Sequence, residues 1–220
     1  MTTTADLIVQ GLKDLGLSHL FCLPGVQNDD FFDALYPHRD TVRPIQVRHE
    51  QAAGYMALGA SLATGQPQAY CVVPGPGFLN TTAALSTAYA VNAPVLALIG
   101  QIPTGAIDRE YGLLHEIPNQ EGILGSLTKH ATRILEPEKA QSQLHEALTA
   151  LVNGRPRPVG IECPMDIWGS EVGSDSTLPP LEITPCAPST DAIELAAALL
   201  ERSEHPLIIV GGGAQHASAE

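Results

Sequence analysis

Two hydrophobic periods alternate along this chain, and the changes between them mark out its elements. Leu7, Ile8, Leu12 and Leu15 recur at helical spacing, so residues 4–15 predict a helix that stops at Gly16. Residues 20–23 are apolar throughout and end at Pro24-Gly25, the pattern of a short buried strand. Residues 29–35 predict a helix that ends before Pro37, residues 42–47 a strand, and residues 50–63 an Ala- and Gly-rich helix ended by Gly65. Residues 69–73 form another apolar run, followed by the rigid turn Pro74-Gly75-Pro76-Gly77. Residues 80–91 predict a helix and residues 95–99 an apolar strand ended by Gly100. Residues 108–125 read as irregular or short-helical. Ala140, Leu144, Leu148 and Leu151 lie on one side of a predicted helix over 137–152, and residues 158–162 predict a strand.

Four or five short strands alternating with helices predict an α/β fold, with a mostly parallel sheet and helices on both faces. Residues 69–73 lack polar alternation, as expected when both faces of the sheet are covered. In open sheets of this kind ligands bind at the carboxyl ends of strands. Pro24-Gly25, Glu50, the PGPG turn and Gly100-Gln101 all fall at such ends. Residues 169–189 are rich in Ser, Thr and Pro and read as a linker. Residues 190–201 predict a helix with Ile193, Ala196, Ala197 and Leu200 on one face, residues 206–210 a strand, and Gly211-Gly212-Gly213 follows. One helix and one strand cannot bury a core, so residues 190–220 read as the opening of an incomplete second α/β domain.

Composition narrows the functions. The chain has 220 residues, is 44% hydrophobic and contains 20 Gly and 18 Pro, as suits an ordered protein with many short turns. A formal charge of −13 argues against a nucleic-acid backbone or an anionic membrane surface as partner. Cys22, Cys71 and Cys163 lie in apolar runs and form no CxxC pair with one another or with Cys186, so they read as small hydrophobes. The N-terminal MTTTADLIVQGLKDLG has no basic region leading into an apolar core, and no apolar run approaches membrane-spanning length. A cytoplasmic protein is expected.

Glu50 sits where an extended run meets a helix. A carboxylate there gains from the helix dipole and the free N–H groups, which explains it as a plain helix-start acid. Its setting among small and apolar residues also suits a partly desolvated group that shares a proton with a ligand. The adjacent His49 is either a helix-start hydrogen-bonder or a catalyst. The PGPG turn is either a stiff strand-to-helix connection or a phosphate cradle, and neither it nor GGGAQH has the GxGxxG spacing or a P-loop lysine. No HExxH, GxSxG or paired-cysteine motif is present.

HLFCLPG, RHEQAAGYMALGAS, VVPGPGFLNTTAALSTAYAVNAPVLALIGQ, LTKHATRI and RPRPVGIECPMDI together form a specific set. Through them the chain resembles the N-terminal part of the thiamine-diphosphate enzymes of the acetolactate synthase and benzoylformate decarboxylase type, and PLIIVGGGA is similar to the first strand of that family's middle domain. The resemblance implies a Rossmann-like pyrimidine-binding domain over 1–168, a linker over 169–189 and the start of a central domain over 190–220. It implies catalysis on 2-oxo acids, by a lyase-type decarboxylation or a transferase-type carboligation, with thiamine diphosphate and Mg2+ as cofactors. Glu50 falls on the family's glutamate that hydrogen-bonds N1′ of the aminopyrimidine. Gly75, Pro76, Gly77 and Asn80 fall near the pyrimidine, and Pro24 and Gly25 on the loop lining the reaction centre. Leu114 and His115 fall where acetolactate synthases usually carry Phe and Gln.

Three departures bear on these expectations. Pro74 stands where the family's SGPG has Ser, which removes a hydroxyl. Asn92 stands for a common Asp. His115 stands for Gln, and an imidazole near the reactive carbon can act as a general acid, which shifts the expectation towards simple decarboxylation. The family's GDG…NN motif for magnesium and diphosphate does not occur, so no metal ligand is assigned here. The 220-residue chain is expected to supply half a site, completed by a diphosphate-binding domain in a homodimer or homotetramer, and to be inactive alone. A truncated sequence, a separate partner polypeptide and a non-catalytic binding or assembly module remain the alternatives.

Overall fold

Six strands form one sheet in the computed structural model, which describes residues 2–173, 176–184 and 187–214. They are β1 (His19–Leu23), β2 (Arg43–Gln46), β3 (Gln68–Val72), β4 (Val95–Gln101), β5 (His130–Arg133) and β6 (Val159–Pro164). Their order is β2-β1-β3-β4-β6-β5, and every neighbouring pair is parallel. Phe21 lies opposite Tyr70, Gln68 opposite Val95, and Leu96 opposite Val159.

The four inner strands β1, β3, β4 and β6 are largely buried on both faces, and their period of two sorts side chains between two cores. Leu20, Cys22, Ala69, Cys71, Leu96, Leu98, Val159 and Ile161 face one side. There they meet α1 (Thr4–Asp14), α2 (Asp29–Leu35), α7 (Pro137–Val152) and α8 (Met165–Trp168), with the tilted rings of Phe31 and Trp168 5.1 Å apart at their centroids. Phe21, Tyr70, Val72, Val95, Ala97 and Ile99 face the other side. They meet α3 (Glu50–Thr64), α4 (Pro76–Leu79), α5 (Thr82–Ala90) and α6 (Gln120–Ser126). The local sequence explains the helix ends. Thr3 and Asp6 form a capping box at the start of α1, and Gly65 closes α3 in the left-handed conformation.

The chain divides into two compact units, Met1–Thr184 and Pro185–Glu220. The first therefore includes part of the Ser/Thr/Pro-rich stretch: Leu178 and Leu181 pack on the α1/α7 core, and the Thr184 N–H donates to Asn153 Oδ1 at 2.7 Å. In the second unit α9 (Thr190–Glu201) forms as expected, with the Ser189 hydroxyl accepting from the Ala192 N–H. Its apolar residues are exposed.

The helix expected over 80–91 forms as α5, beginning at Thr82, and an additional short helix, α4, precedes it; the two are separated at Asn80–Thr81, where the Thr81 hydroxyl bonds the Phe78 carbonyl and the Tyr70 hydroxyl. Two differences concern strands. β5 was not foreseen, because four half-buried residues at a sheet edge carry no periodic signal. Residues 206–210 form no strand. A parallel strand draws its backbone bonds from its neighbours, and this segment has no neighbouring strand among the described residues; Leu207 is 84% and Ile209 86% exposed. Cys186 and the end of the GGGAQH motif lie outside the described residues.

Candidate functional site

The strand order reverses between β1 and β3. β1 leads through α2, on one face, to β2, while β3 leads through α4 and α5, on the other face, to β4. This is the switch point at which open parallel sheets leave a crevice at their carboxyl ends. Pro24 and Gly25 follow β1, Glu50 follows β2, and Gly75, Pro76, Gly77 and Asn80 follow β3.

Close packing holds these turns together. A Cβ at Gly25 would stand 2.6 Å from Val73 Cγ1, and one at Gly77 would stand 2.6 Å from Val73 Cγ2. The turns after β1 and β3 thus meet across Val73, and neither glycine position has room for a side chain. Gly75 has φ +59, and a Cβ there would overlap the backbone of His115. Only glycine fits that position, for reasons of both conformation and space.

Glu50 is the first residue of α3. It is half-buried and does not cap the helix. His49 does so, its Nδ1 accepting from the Gln51 N–H at 3.2 Å. Glu50 Oε2 instead accepts from Asn80 Nδ2 at 2.9 Å. Its Oε1 is 3.6 Å from where a Cβ on Gly77 would lie. One carboxylate oxygen is therefore held by an amide, and the other lies near Gly77, which has no side chain. The break between α4 and α5 carries Asn80 and makes this contact possible.

His115 lies on the far side of the same turn, in the segment that joins β4 to α6. It is half-buried with φ +69, and its Nδ1 is 3.0 Å from Gln27 Oε1. Leu114 is 74% exposed, and Glu116 is spent within the loop, accepting from the Leu113 N–H at 2.8 Å. Of the residues proposed from sequence, Glu50, Asn80, Gly77, Gly75 and His115 line one continuous turn, and Pro24-Gly25 abuts it through Val73.

A buried polar layer underlies the turn, and most of it was not anticipated. Gln120 receives the Gly75 N–H at 2.7 Å and donates to the Gly100 carbonyl at 3.0 Å. Gln101 donates to Glu162 at 2.8 Å and accepts from the Ile102 N–H. Arg133 pairs with Glu162, which is fully buried. Burial raises the Glu162 pKa above the ordinary value, and Arg133 and Gln101 oppose that shift. Asn28 is also fully buried and donates to Cys71 Sγ, while its Oδ1 has no partner. A Cβ at Gly100 would overlap that oxygen and stand 3.0 Å from Pro74 Cδ. A polar residue interrupting an apolar strand was the available signal: Glu162 is the one charge in VGIECP.

The thiols do not enter the site. Burial raises the Cys22 pKa to about 11 and pushes Cys71 and Cys163 well above the ordinary range, so they remain neutral. Asn92 adopts the left-handed conformation that Asn tolerates, and its Oδ1 accepts from Arg155 Nε at 2.7 Å. Among the described residues no group of three His, Cys, Asp or Glu side chains is arranged to hold a metal ion, and no helix is long and apolar enough to cross a membrane.

Comparison with known proteins gives this geometry a family. The chain belongs to the thiamine pyrophosphate enzymes: the family model described as "Thiamine pyrophosphate enzyme, N-terminal TPP binding domain" matches residues 2–123. It is 35% identical over 215 residues to the probable acetolactate synthase large subunit of Methanocaldococcus jannaschii, covering 95% of this chain and 36% of that protein. It is 30% identical over 216 residues to the probable 2-ketoarginine decarboxylase AruI of Pseudomonas aeruginosa, covering 96% and 38%. It is 29% identical over 228 residues to the oxalyl-CoA decarboxylase of Escherichia coli, covering 100% and 39%. The chain thus spans less than two fifths of the length of these relatives. The parallel sheet with helices on both faces is the fold expected of a pyrimidine-binding domain of this family.

Proposed function

We propose that this chain is the pyrimidine-binding part of an enzyme that uses thiamine diphosphate and magnesium to act on 2-oxo acids, by decarboxylation, carboligation or both. Residues 1–168 hold the pyrimidine, and the chain from 190 onwards opens a central domain. The observation that carries this reading is the Glu50 carboxylate at the switch point, with one oxygen held by Asn80 and the other turned to Gly77.

The donor set suits an aminopyrimidine. A carboxyl group can share a proton with a ring nitrogen, and the turn over residues 75–77 offers a flat ring close approach to the backbone. When bound, thiamine diphosphate supplies the electron sink for the substrate's carbonyl carbon. The protein's part is to hold Glu50 at one hydrogen-bonding distance from Asn80, to keep Gly75 and Gly77 without side chains, and to present His115 as a group that can give or take a proton. The diphosphate and magnesium ligands come from a diphosphate-binding domain outside these residues. The exposed apolar and small residues on α3 and α5, among them Tyr55, Met56, Leu62 and Ala83, pack against a second copy in a homodimer or homotetramer.

The test is Glu50→Gln in a chain long enough to bind the cofactor, assayed on 2-oxo acids. The variant keeps the bond to Asn80 available but cannot exchange a proton. Turnover is expected to fall by about 10²–10⁴-fold. Turnover at the parental rate would overturn the role given to Glu50.

A further inference from the structure

The loop between β4 and α6 has an unusual backbone. Five non-glycine residues have positive φ among those described, and four of them, Asp108, Glu110, His115 and Asn119, lie in this one segment. Such conformations persist where surrounding contacts over-determine them. At His115 those contacts are visible on two sides. Its backbone lies against Gly75, where only a glycine leaves it room. Its ring lies against Gln27, which sits in the 3-10 turn Val26–Asn28 just after β1 and is 4% exposed.

The two ends of the Gln27 amide have different partners. Its nitrogen faces the Leu114 carbonyl at 3.5 Å, and its oxygen faces His115 Nδ1 at 3.0 Å. Rotating the amide by half a turn would set its oxygen against a carbonyl oxygen, so this orientation is the one that pairs donors with acceptors. An amide oxygen only accepts. The hydrogen must therefore be on His115 Nδ1, and in the neutral ring Nε2 then carries the lone pair. Among the described residues the ring's hydrogen bond is the one at Nδ1, and Nε2 is not one of the buried polar atoms left without a partner, so it is not sealed in the core.

We infer that Gln27 is a positioning residue: it holds neutral His115 in the Nδ1–H tautomer, so that Nε2 is the nitrogen that takes and gives the proton. Free neutral histidine side chains favour the opposite tautomer, so the choice is imposed by the fold. The use of Nε2 in turnover rests on the function proposed above, whereas the tautomer does not.

The test is a long-range 1H–15N correlation spectrum of the 15N-labelled 220-residue chain, recorded without cofactor at a pH where the ring is neutral. His115 is expected to show a pyrrole-type Nδ1 and a pyridine-type Nε2. An Nε2–H pattern, or averaged shifts as in a free side chain, would overturn the inference. Gln27→Met keeps the volume and removes the acceptor, and is expected to return His115 to a predominantly Nε2–H form. The amide fingerprint elsewhere is expected to be unchanged. A parental His115 pattern in Gln27→Met would also overturn the inference. The spectra need no catalysis, so a failure of the Glu50 test would leave them standing and would count against the thiamine-diphosphate reading alone.

Discussion

The two faces of the sheet are filled by opposite means. On the α1/α7 face the helices are amphipathic. Leu7, Leu12, Leu144, Leu148 and Leu151 point inward, while Glu138, Lys139, Ser142 and Glu146 meet water. On the α3/α5 face the helices carry small residues. Gly54 is so close to α5 that a Cβ would lie 2.8 Å from Ala84 Cβ, and the outer surface is apolar as well, with Tyr55 41% and Leu62 54% exposed. The first face is stabilised by volume and finished with charge. The second is stabilised by close approach, and its outer surface leaves large apolar side chains uncovered. The Glu50 site grows from that second face.

Substitutions should break this contrast in order of size. Leu144→Ala on α7 empties a fully packed position and is expected to cost about 2–5 kcal/mol in urea-induced unfolding. A cost near zero would mean that α7 does not anchor its face. Gly54→Ala on α3 adds a methyl where none fits. Overpacking of about 1–3 kcal/mol outweighs the helix-propensity gain of about 0.5–1 kcal/mol, so net destabilisation is expected. Net stabilisation would show that α3 and α5 separate freely.

Glu162, beneath both faces at the carboxyl ends of the strands, gives a smaller effect that depends on pH. Its pKa is raised in the folded state, so the native protein keeps a proton that the unfolded chain has released. That contribution is fully present below the ordinary glutamate value of about 4.3 and is lost as pH rises from there through the raised folded value. Glu162→Gln should flatten this part of the stability–pH curve, and curves that superimpose would remove the buried proton from the account. The smallest effect on monomer stability belongs to the outer surfaces. Tyr55→Glu with Leu62→Glu should leave unfolding within about 0.5 kcal/mol while reducing self-association in sedimentation. Glu146→Lys on α7 should change neither, and a loss of association there would reassign the interface.

The same contrast decides what could be read from the chain. Apolar runs such as 69–73 and 95–99 state their own fate, because a parallel strand covered on both sides needs no polar alternation, and their ends locate the crevice. β5 and the break at Asn80–Thr81 were missed because both are decided by tertiary partners: β5 by pairing with β6, the break by Thr81 bonding to Tyr70. The strand expected at 206–210 failed for the converse reason, since apolar residues without a neighbouring strand have nothing to pair with. Glu50 was legible from its place at a strand end and from its motif. Gln27, Gln120 and Asn28 were not, because each acts across a long sequence separation. Gln27 meets His115 from the turn after β1, and Gln120 reaches back to Gly75.

The strand order also bears on how the protein is made. β6 lies between β4 and β5, so the sheet cannot be assembled in the order in which a ribosome delivers it. After β4 has emerged, its outer edge waits for a strand that ends at Pro164, which is several seconds away at ordinary rates of synthesis. During that interval an apolar strand with unpaired backbone groups is exposed to other nascent chains. The region matched by the family model, residues 2–123, stops inside this window. Cut at that point, the polypeptide would carry Glu50, Gly75, Gly77, Asn80 and His115 and still lack Arg133, Glu162 and the strand that covers β4.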